Sequence, residues 1–585
     1  MPHPSRPTLQ ALQFAVDAAS GRRPGTLLLK NASVLNVFSL QIERTHVLLA
    51  DALIAGIGEI FEQAEAEEVL DLGGRWLAPG LIDGHVHIES SLATPSAYAA
   101  AVLPRGVTGV VCDPHEIGNV AGVPGIEWLL AESENLPLDV WVTVPSCVPS
   151  TKLETAGATL DLSDISQLLE HERVVGVAEI MSFPDVIAAD PDNLEKVRLA
   201  EAIRKSPEGH APGLSGRDLQ AYLASGIASD HEATTLEEAQ EKLGCGTFVM
   251  VREGSVTRNL KALTPLLRPQ HGDRLGFVTD DRLPHDLTTE GGADCLVRAA
   301  ISSGVDPCYA LRCGSYNVAK HYGLTRLGAV APGYLADLIV LDDLETFQAN
   351  EVFKAGRRVA LKGRLSVTLP PSQADAEAVR NTVSLPPGLS EASFRLEAAG
   401  QVRCIEPVPY QVLTKALHVT PTVRGGEIVA DPERDLLKLV CVERHGRTGG
   451  VGVGLVTGFG LRRGALASTV GHDHHNLLAV GANDADLLTA CQHLESLGGG
   501  FVAVADGEIL AELALPIAGL VTDQPLEQVG EQMAALDRAA SKLGNTLPGP
   551  FMTLSFLGLA VIPELRLTDK GLVDVLKAEI ATLEV

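Results

Sequence analysis

The sequence predicts an α/β protein in which a (β/α)8 barrel is inserted into a small β-domain built from both flanks and is followed by a C-terminal α+β domain. Three observations predict it. Eight short apolar runs between residues 78 and 327 alternate with helical stretches. Runs with the alternation of half-buried strands stand on both sides of that region. A polar, proline-led stretch, Pro370-Pro371-Ser372-Gln373-Ala374-Asp375-Ala376, then reads as a linker to a further mixture of strands and helices. At 585 residues the chain exceeds what one core fills, so about three or four domains are expected.

Taken in order, residues 1–24 carry a short amphipathic pattern at Leu9, Leu12, Phe14 and Val16, which suits either a helix on the body or a tether. Residues 25–77 hold the runs Thr26–Lys30, Ala32–Asn36, His46–Ala50 and Leu53–Ile57. Residues 328–369 hold a similar set, Leu335–Leu341, Val352-Phe353, Arg358–Leu361 and Gly363-Arg364, and one composite β-domain is the economical reading. In the insert, 78–327, the candidate strands are Leu81–His87, Gly109–Asp113, Val140–Pro145, Val174–Ile180, a short run before His210, Ile227–Asp230, Thr247–Val251 and Gly276–Thr279. Residues 370–585 offer strand-like runs at 436–442, 453–456, 477–480, 501–505 and 509–515, with helices at 484–497 and 526–543. Gly449-Gly-Val-Gly-Val-Gly454 lacks the Lys-Ser/Thr of a phosphate loop and reads as a flexible turn.

Composition narrows the function classes. The formal net charge of -28 repels phosphate backbones, so no nucleic-acid partner is expected. Nine scattered cysteines with no C-x-x-C pair suggest reduced thiols and a cytoplasmic protein. Neither a leader nor a run long and apolar enough for a membrane is read from the sequence.

The chemistry begins at Leu81–His87, where strand alternation aims His85 and His87 at one point. Further candidates follow the later strands, at the end where barrel sites lie: Asp113-Pro-His115-Glu116, Glu179, His210, Ser229-Asp-His231-Glu232 and Thr279-Asp280-Asp281. Such a set of imidazoles and carboxylates suffices for two divalent ions bridged by a carboxylate. Glu179 is the only carboxylate within the apolar run Val174–Ile180, where it is costly unless paired or metal-bound. Near the C-terminus Gly471-His472-Asp473-His474-His475-Asn476 is open to three readings: metal binding, closure over the barrel mouth, or a solvated loop.

This constellation resembles the amidohydrolase superfamily and, in the stretches Asp113-Pro-His-Glu116, Ser229-Asp-His-Glu232 and His472-Asp-His-His-Asn476, its bacterial adenine deaminase family. The resemblance implies that His85, His87 and Asp280 hold one metal, that His210 and His231 hold the other, and that Glu179 bridges them. It favours Mn or Fe, with Zn also compatible, and implies a homo-oligomer. The implied reaction is attack of a metal-bridged hydroxide on C6 of adenine, giving hypoxanthine and ammonia. Asp280 is the expected proton carrier, with Asp281 its rival, while Glu179, Glu116 and Glu232 all suit protonation of the purine ring. His115, Glu116, Glu232, Asp281, His472 and His475 are expected around the substrate. His474 stands where the family usually has a small polar residue. Other cyclic amidases on this barrel use a bridging lysine, and 171–185 contains none; another nucleobase deaminase and a non-catalytic scaffold are the remaining alternatives.

Overall fold

The computed structural model describes residues 6–372, 374–397, 400–409 and 411–585. Residues 1–5 of the expected N-terminal segment and Gln373 of the expected linker lie outside the described residues.

A nine-stranded sheet takes its strands from both ends of the first 365 residues, in the order Arg364–Leu365, Arg357–Leu361, Ala349–Lys354, Leu338–Leu341, Trp76–Pro79, Gly25–Asn36, Gln41–Ala50, Leu53–Ile57, with Ala66–Asp71 beside Gly25–Asn36. The two flanks meet where Leu77 pairs with Val340 and Ala78 with Ile339. Gly80 then passes so close to the next layer that a Cβ there would lie 2.2 Å from Thr108 Oγ1, and the chain runs straight into Leu81–His87. The histidine pair is thus anchored by a sheet on its N-terminal side.

From Leu81–His87, four strands add in parallel and in sequence order: Val107–Cys112, Asp139–Val144, Val174–Ile180 and Ser206–Gly209. Their runs are apolar and buried because helices cover the sheet. The helix Leu162–Leu169 shows how: Asp161 caps it in a reciprocal capping box, and Ile165, Leu168 and Leu169 turn inward. A second parallel sheet consists of Ser229–Asp230, Phe248–Arg252 and Leu275–Val278. The two sheets meet at both edges. Ala228 N donates to Pro207 O at 2.9 Å, and Asp280-Asp281 pairs with Val86 and His87.

Residues 402–514 form an eight-stranded sheet with the helix Asp484–Leu497 against one face. Leu487, Ala490, Cys491 and Leu494 pack there on Val440, Val442, Val502 and Val504, each buried leucine contributing about 1.5–3 kcal/mol. The stretch between strands Ala465–Ser468 and Leu477–Gly481 crosses to the ends of the parallel strands. Asn476 Nδ2 donates to Thr155 O (2.9 Å), Asp569 Oδ1 accepts from Thr155 N (2.9 Å), and Thr568 Oγ1 donates to Leu153 O (2.7 Å). Val110 and Ile117 share one apolar core with Val470 and Val521 across this contact.

Several expectations change. The N-terminal pattern is a helix, Leu9–Ala19, but it buries Ala15 and Ala18 while Leu9 and Val16 stay exposed. The sixth parallel strand is only Ser229–Asp230. Residues 451–454 are strand and not turn: Val451–Val456 runs beside Thr568, whose carbonyl would lie 1.9 Å from a Cβ at Gly452. The glycines there answer a close approach, which imitates a flexible loop in sequence.

Candidate metal centre

The centre is built at the C-terminal ends of the parallel strands. His87 Nδ1 donates to Asp113 O at 2.9 Å, which leaves the Nε2 lone pair pointing inward. It lies 3.2 Å from His85 Nε2. Glu179, at the end of Val174–Ile180, places Oε1 2.7 Å from His85 Nε2, 3.3 Å from His87 Nε2 and 3.4 Å from His231 Nε2, and Oε2 3.3 Å from His210 Nδ1. Asp280 Oδ1 lies 3.0 Å from His87 Nε2 and 3.6 Å from His85 Nε2. The six residues expected as ligands are therefore in one place.

Two observations test whether they suit a cation. His210 Nδ1 and His231 Nε2 are buried and have no hydrogen-bond partner, a costly state for an imidazole nitrogen unless it has a ligand. His85, His87, Glu179 and Asp280 also bring one donor atom each within 4.8 Å of one another, and Glu179, His210 and His231 do the same. Burial would raise the Glu179 carboxyl, but the four imidazoles gathered around it hold it well below the usual carboxylate range. Burial acts likewise on Asp280, where Arg252 and the His85–His87 pair overcome it. The residues fit a divalent metal.

The support is local and specific. Asp83 Oδ2 accepts from Thr279 Oγ1 at 2.6 Å and Oδ1 from Thr279 N at 3.0 Å, tying the first strand to the residue before Asp280. Burial pushes the Asp83 carboxyl up to about 6. Asp280 itself takes φ +59°, a left-handed conformation that costs a non-glycine residue about 1–3 kcal/mol and turns it back onto Val86.

Arg252 and Lys242, neither expected from sequence, hold the carboxylates and loops. Arg252 forks onto Glu232 and donates to Asp280 Oδ2 at 2.8 Å. Lys242 is fully buried and donates to Ala211 O (2.7 Å), Asp230 Oδ2 (2.8 Å) and Glu238 Oε1 (2.7 Å). Asp230 accepts from Ala211 N (2.9 Å) and Glu232 N (3.1 Å), the residues next to His210 and His231. Tyr222 OH donates to Ile180 O (2.8 Å) and accepts from His210 N (3.0 Å), joining the Glu179 strand to the same bracket. Lys242→Met is expected to weaken metal retention by about 10- to 100-fold, with Lys242→Arg restoring part of it, in a competition titration against a chelating dye. Unchanged retention would make the bracket irrelevant to the centre.

Beside the donors, His115 Nδ1 meets Asp113 Oδ2 at 2.9 Å, and its ring centroid lies 4.5 Å from that of His87. Asp281 Oδ1 accepts from Ser90 Oγ at 2.5 Å. Glu232 Oε1 lies 3.4 Å from His231 Nε2. Glu116 receives the C-terminal stretch: His472 Nδ1 lies 2.5 Å from Oε1, and His475 Nε2 contacts Oε2. Of the three readings of that stretch, the buried contacts exclude the solvated loop and fit closure over the strand ends. Gly471 N donates to His475 Nδ1 at 3.2 Å, so Nε2 carries the proton and donates to Glu116, which makes this a hydrogen-bonded bridge. His474 turns away, its Nδ1 accepting from Asn476 N at 2.8 Å, and burial brings it down to about 3.

Comparison with known proteins agrees with this geometry. Residues 76–359 match the amidohydrolase family and residues 411–579 the adenine deaminase C-terminal domain. The chain is 46% identical over 561 residues to an adenine deaminase of Desulfatibacillum aliphaticivorans, covering 96% of this chain and 97% of that one. It is 43% identical over 570 residues to one from Kosmotoga olearia, covering 97% and 98%. A third, from Methanothrix thermoacetophila, is 46% identical over 565 residues, covering 96% and 98%. On this evidence the chain belongs to the adenine deaminase family of the amidohydrolase superfamily.

Proposed function

We propose that the protein hydrolyses adenine to hypoxanthine and ammonia, on two divalent ions held by His85, His87 and Asp280 and by His210 and His231, with Glu179 shared. The convergence of six donors with two partnerless imidazole nitrogens carries the reading. Imidazole and carboxylate donors suit Mn or Fe, with Zn also compatible. When bound, the ions supply Lewis acidity that makes water nucleophilic near neutral pH.

The chain's own groups do the rest. Asp280, kept ionised by Arg252, takes the proton of the attacking water and delivers it to the departing amine. Charge builds on the ring nitrogen next to the attacked carbon and calls for a proton there; Glu179, Glu116 and Glu232 are the candidate carriers, and since its surroundings hold each of them ionised, whichever serves must first take up a proton. The stretch 471–476, held to Glu116, excludes bulk water from the strand ends.

This reading treats the eight parallel strands as one (β/α)8 barrel over 78–327, supported by the edge contacts Ala228–Pro207 and Asp280–Val86. The composite β-domain is then 25–77 with 328–369, and the C-terminal α+β domain 370–585. A homo-oligomer, dimer or larger, goes with the family. None of the described helices is long and apolar enough to cross a membrane. All nine cysteines are free, which supports a cytoplasmic setting.

Ammonia release by Mn-reconstituted protein tests the function. Release from adenine and not from adenosine, cytosine or dihydroorotate, lost on chelation, is expected. Metal-loaded protein inert on adenine but active on another base would keep the centre and replace the substrate.

A further inference from the structure

The C-terminal stretch brings in a carboxylate that no step above uses. Asp473 lies between His472, bound to Glu116, and His474, turned into the C-terminal sheet. Its side chain keeps 7% of its surface and that of the neighbouring His115 keeps 6%, whereas Asp113 beneath them keeps none. His115, Glu116 and Asp473 each bring one polar atom within 4.8 Å of the others, and His115 in turn groups in the same way with His87, Asp113 and Glu179, so Asp473 stands one side chain away from the donor cluster.

Within that group Asp473 is incompletely satisfied. Oδ1 lies 3.9 Å from His115 Nε2, and Oδ2 is buried with no hydrogen-bond partner. A buried carboxylate oxygen without a donor is costly, and a ligand that supplies an N–H removes the cost. Position says which N–H. His115 spans the gap between the candidate ligand His87, 4.5 Å from it ring to ring, and Asp473. The carbon under attack must sit at the donor cluster, so Asp473 meets the opposite edge of the substrate. On free adenine that edge is the five-membered ring, whose N–H is a donor; in a nucleoside that hydrogen is replaced by a sugar.

We propose that Asp473 accepts a hydrogen bond from the imidazole-ring N–H of the free purine base and so selects free bases over N9-substituted purines. The assignment rests on the adenine reading above and adds its specificity determinant. It predicts that the C-terminal stretch reads the substrate as well as closing the site.

The test compares kcat/KM for adenine and for 9-methyladenine in wild type, Asp473→Ala and Asp473→Asn, each reconstituted with Mn and assayed for bound metal. Wild type is expected to prefer adenine strongly. Asp473→Ala should lose about 10- to 150-fold on adenine, the range for a hydrogen bond to a charged group, without losing on 9-methyladenine. Asp473→Asn keeps an acceptor oxygen and should fall between. A merely structural role would lower both substrates together and leave their ratio alone. An unchanged ratio in metal-replete Asp473→Ala overturns the assignment while leaving the activity standing; should that variant fail to fold, an unchanged ratio in Asp473→Asn does the same. Wild type inert on adenine overturns the activity and, with it, this specificity.

Discussion

Glu179→Gln is expected to strip the protein of most of its divalent metal and to lower kcat/KM for adenine by at least about a thousandfold. The magnitude follows from how many partners one carboxylate serves. Its two oxygens face His85, His87, His210 and His231 at 2.7–3.4 Å. An amide removes the negative charge and turns an N–H toward imidazole nitrogens that need to present lone pairs. In the proposed two-ion arrangement both halves of the centre would lose a ligand at once, whereas a change at His210 would damage one. Metal per chain by mass spectrometry, with steady-state kinetics, checks this. A glutamine variant that holds two equivalents of metal and turns over normally would remove Glu179 from the shared position.

The second large effect belongs to Asp280. Asp280→Asn should lower kcat by about 10²–10⁴-fold, the usual range for losing a general acid–base, with a smaller effect on folding. The fold should tolerate it because Arg252 keeps its fork onto Glu232 when the Asp280 contact weakens, so that buried cation is not stranded. Thermal denaturation beside single-turnover kinetics separates the two effects. Wild-type kcat in a metal-replete Asn variant would pass the proton-carrying role to Asp281, which sits one residue on but bonded to Ser90.

What was legible in the sequence is what has a short period or a local cost. His85 and His87 stand two apart on a strand, and alternation alone aims them together. Glu179 interrupts an apolar strand, and such an interruption needs a reason. Lys242 was not legible because it stands four residues after Glu238 on a helix, the spacing of an ordinary surface pair, and only the packing of two loops over that helix buries it. Arg252 closes an apolar strand where the neighbouring strands carry their donors, a signal that placement could have supplied. Asp473 was hidden by its neighbours: among three histidines it looks like loop polarity, and its meaning depends on a meeting with His115 that no local pattern encodes. His474, where the sequence departs from the family pattern, packs beneath Gly558, a contact that no local pattern encodes.

The pairing of Asp280-Asp281 with Val86 and His87 has a consequence for how the protein is made. Thr279 bonds to Asp83 across 196 residues, and His475 to Glu116 across 359. Contacts this distant in the chain form late, after the loop-closure entropy between them has been met. A nascent chain that has reached residue 250 already carries His85, His87, Glu179, His210 and His231 but lacks Asp280, the aspartate proposed to complete the first half of the centre. In the proposed arrangement full loading would follow synthesis of the last parallel strand, and closure by the stretch 471–476 would wait for nearly the whole polypeptide. Pulse-labelled, ribosome-bound chains should acquire tightly held Mn only after residue 281 has cleared the exit tunnel, which makes metal retention a clock for the order of assembly.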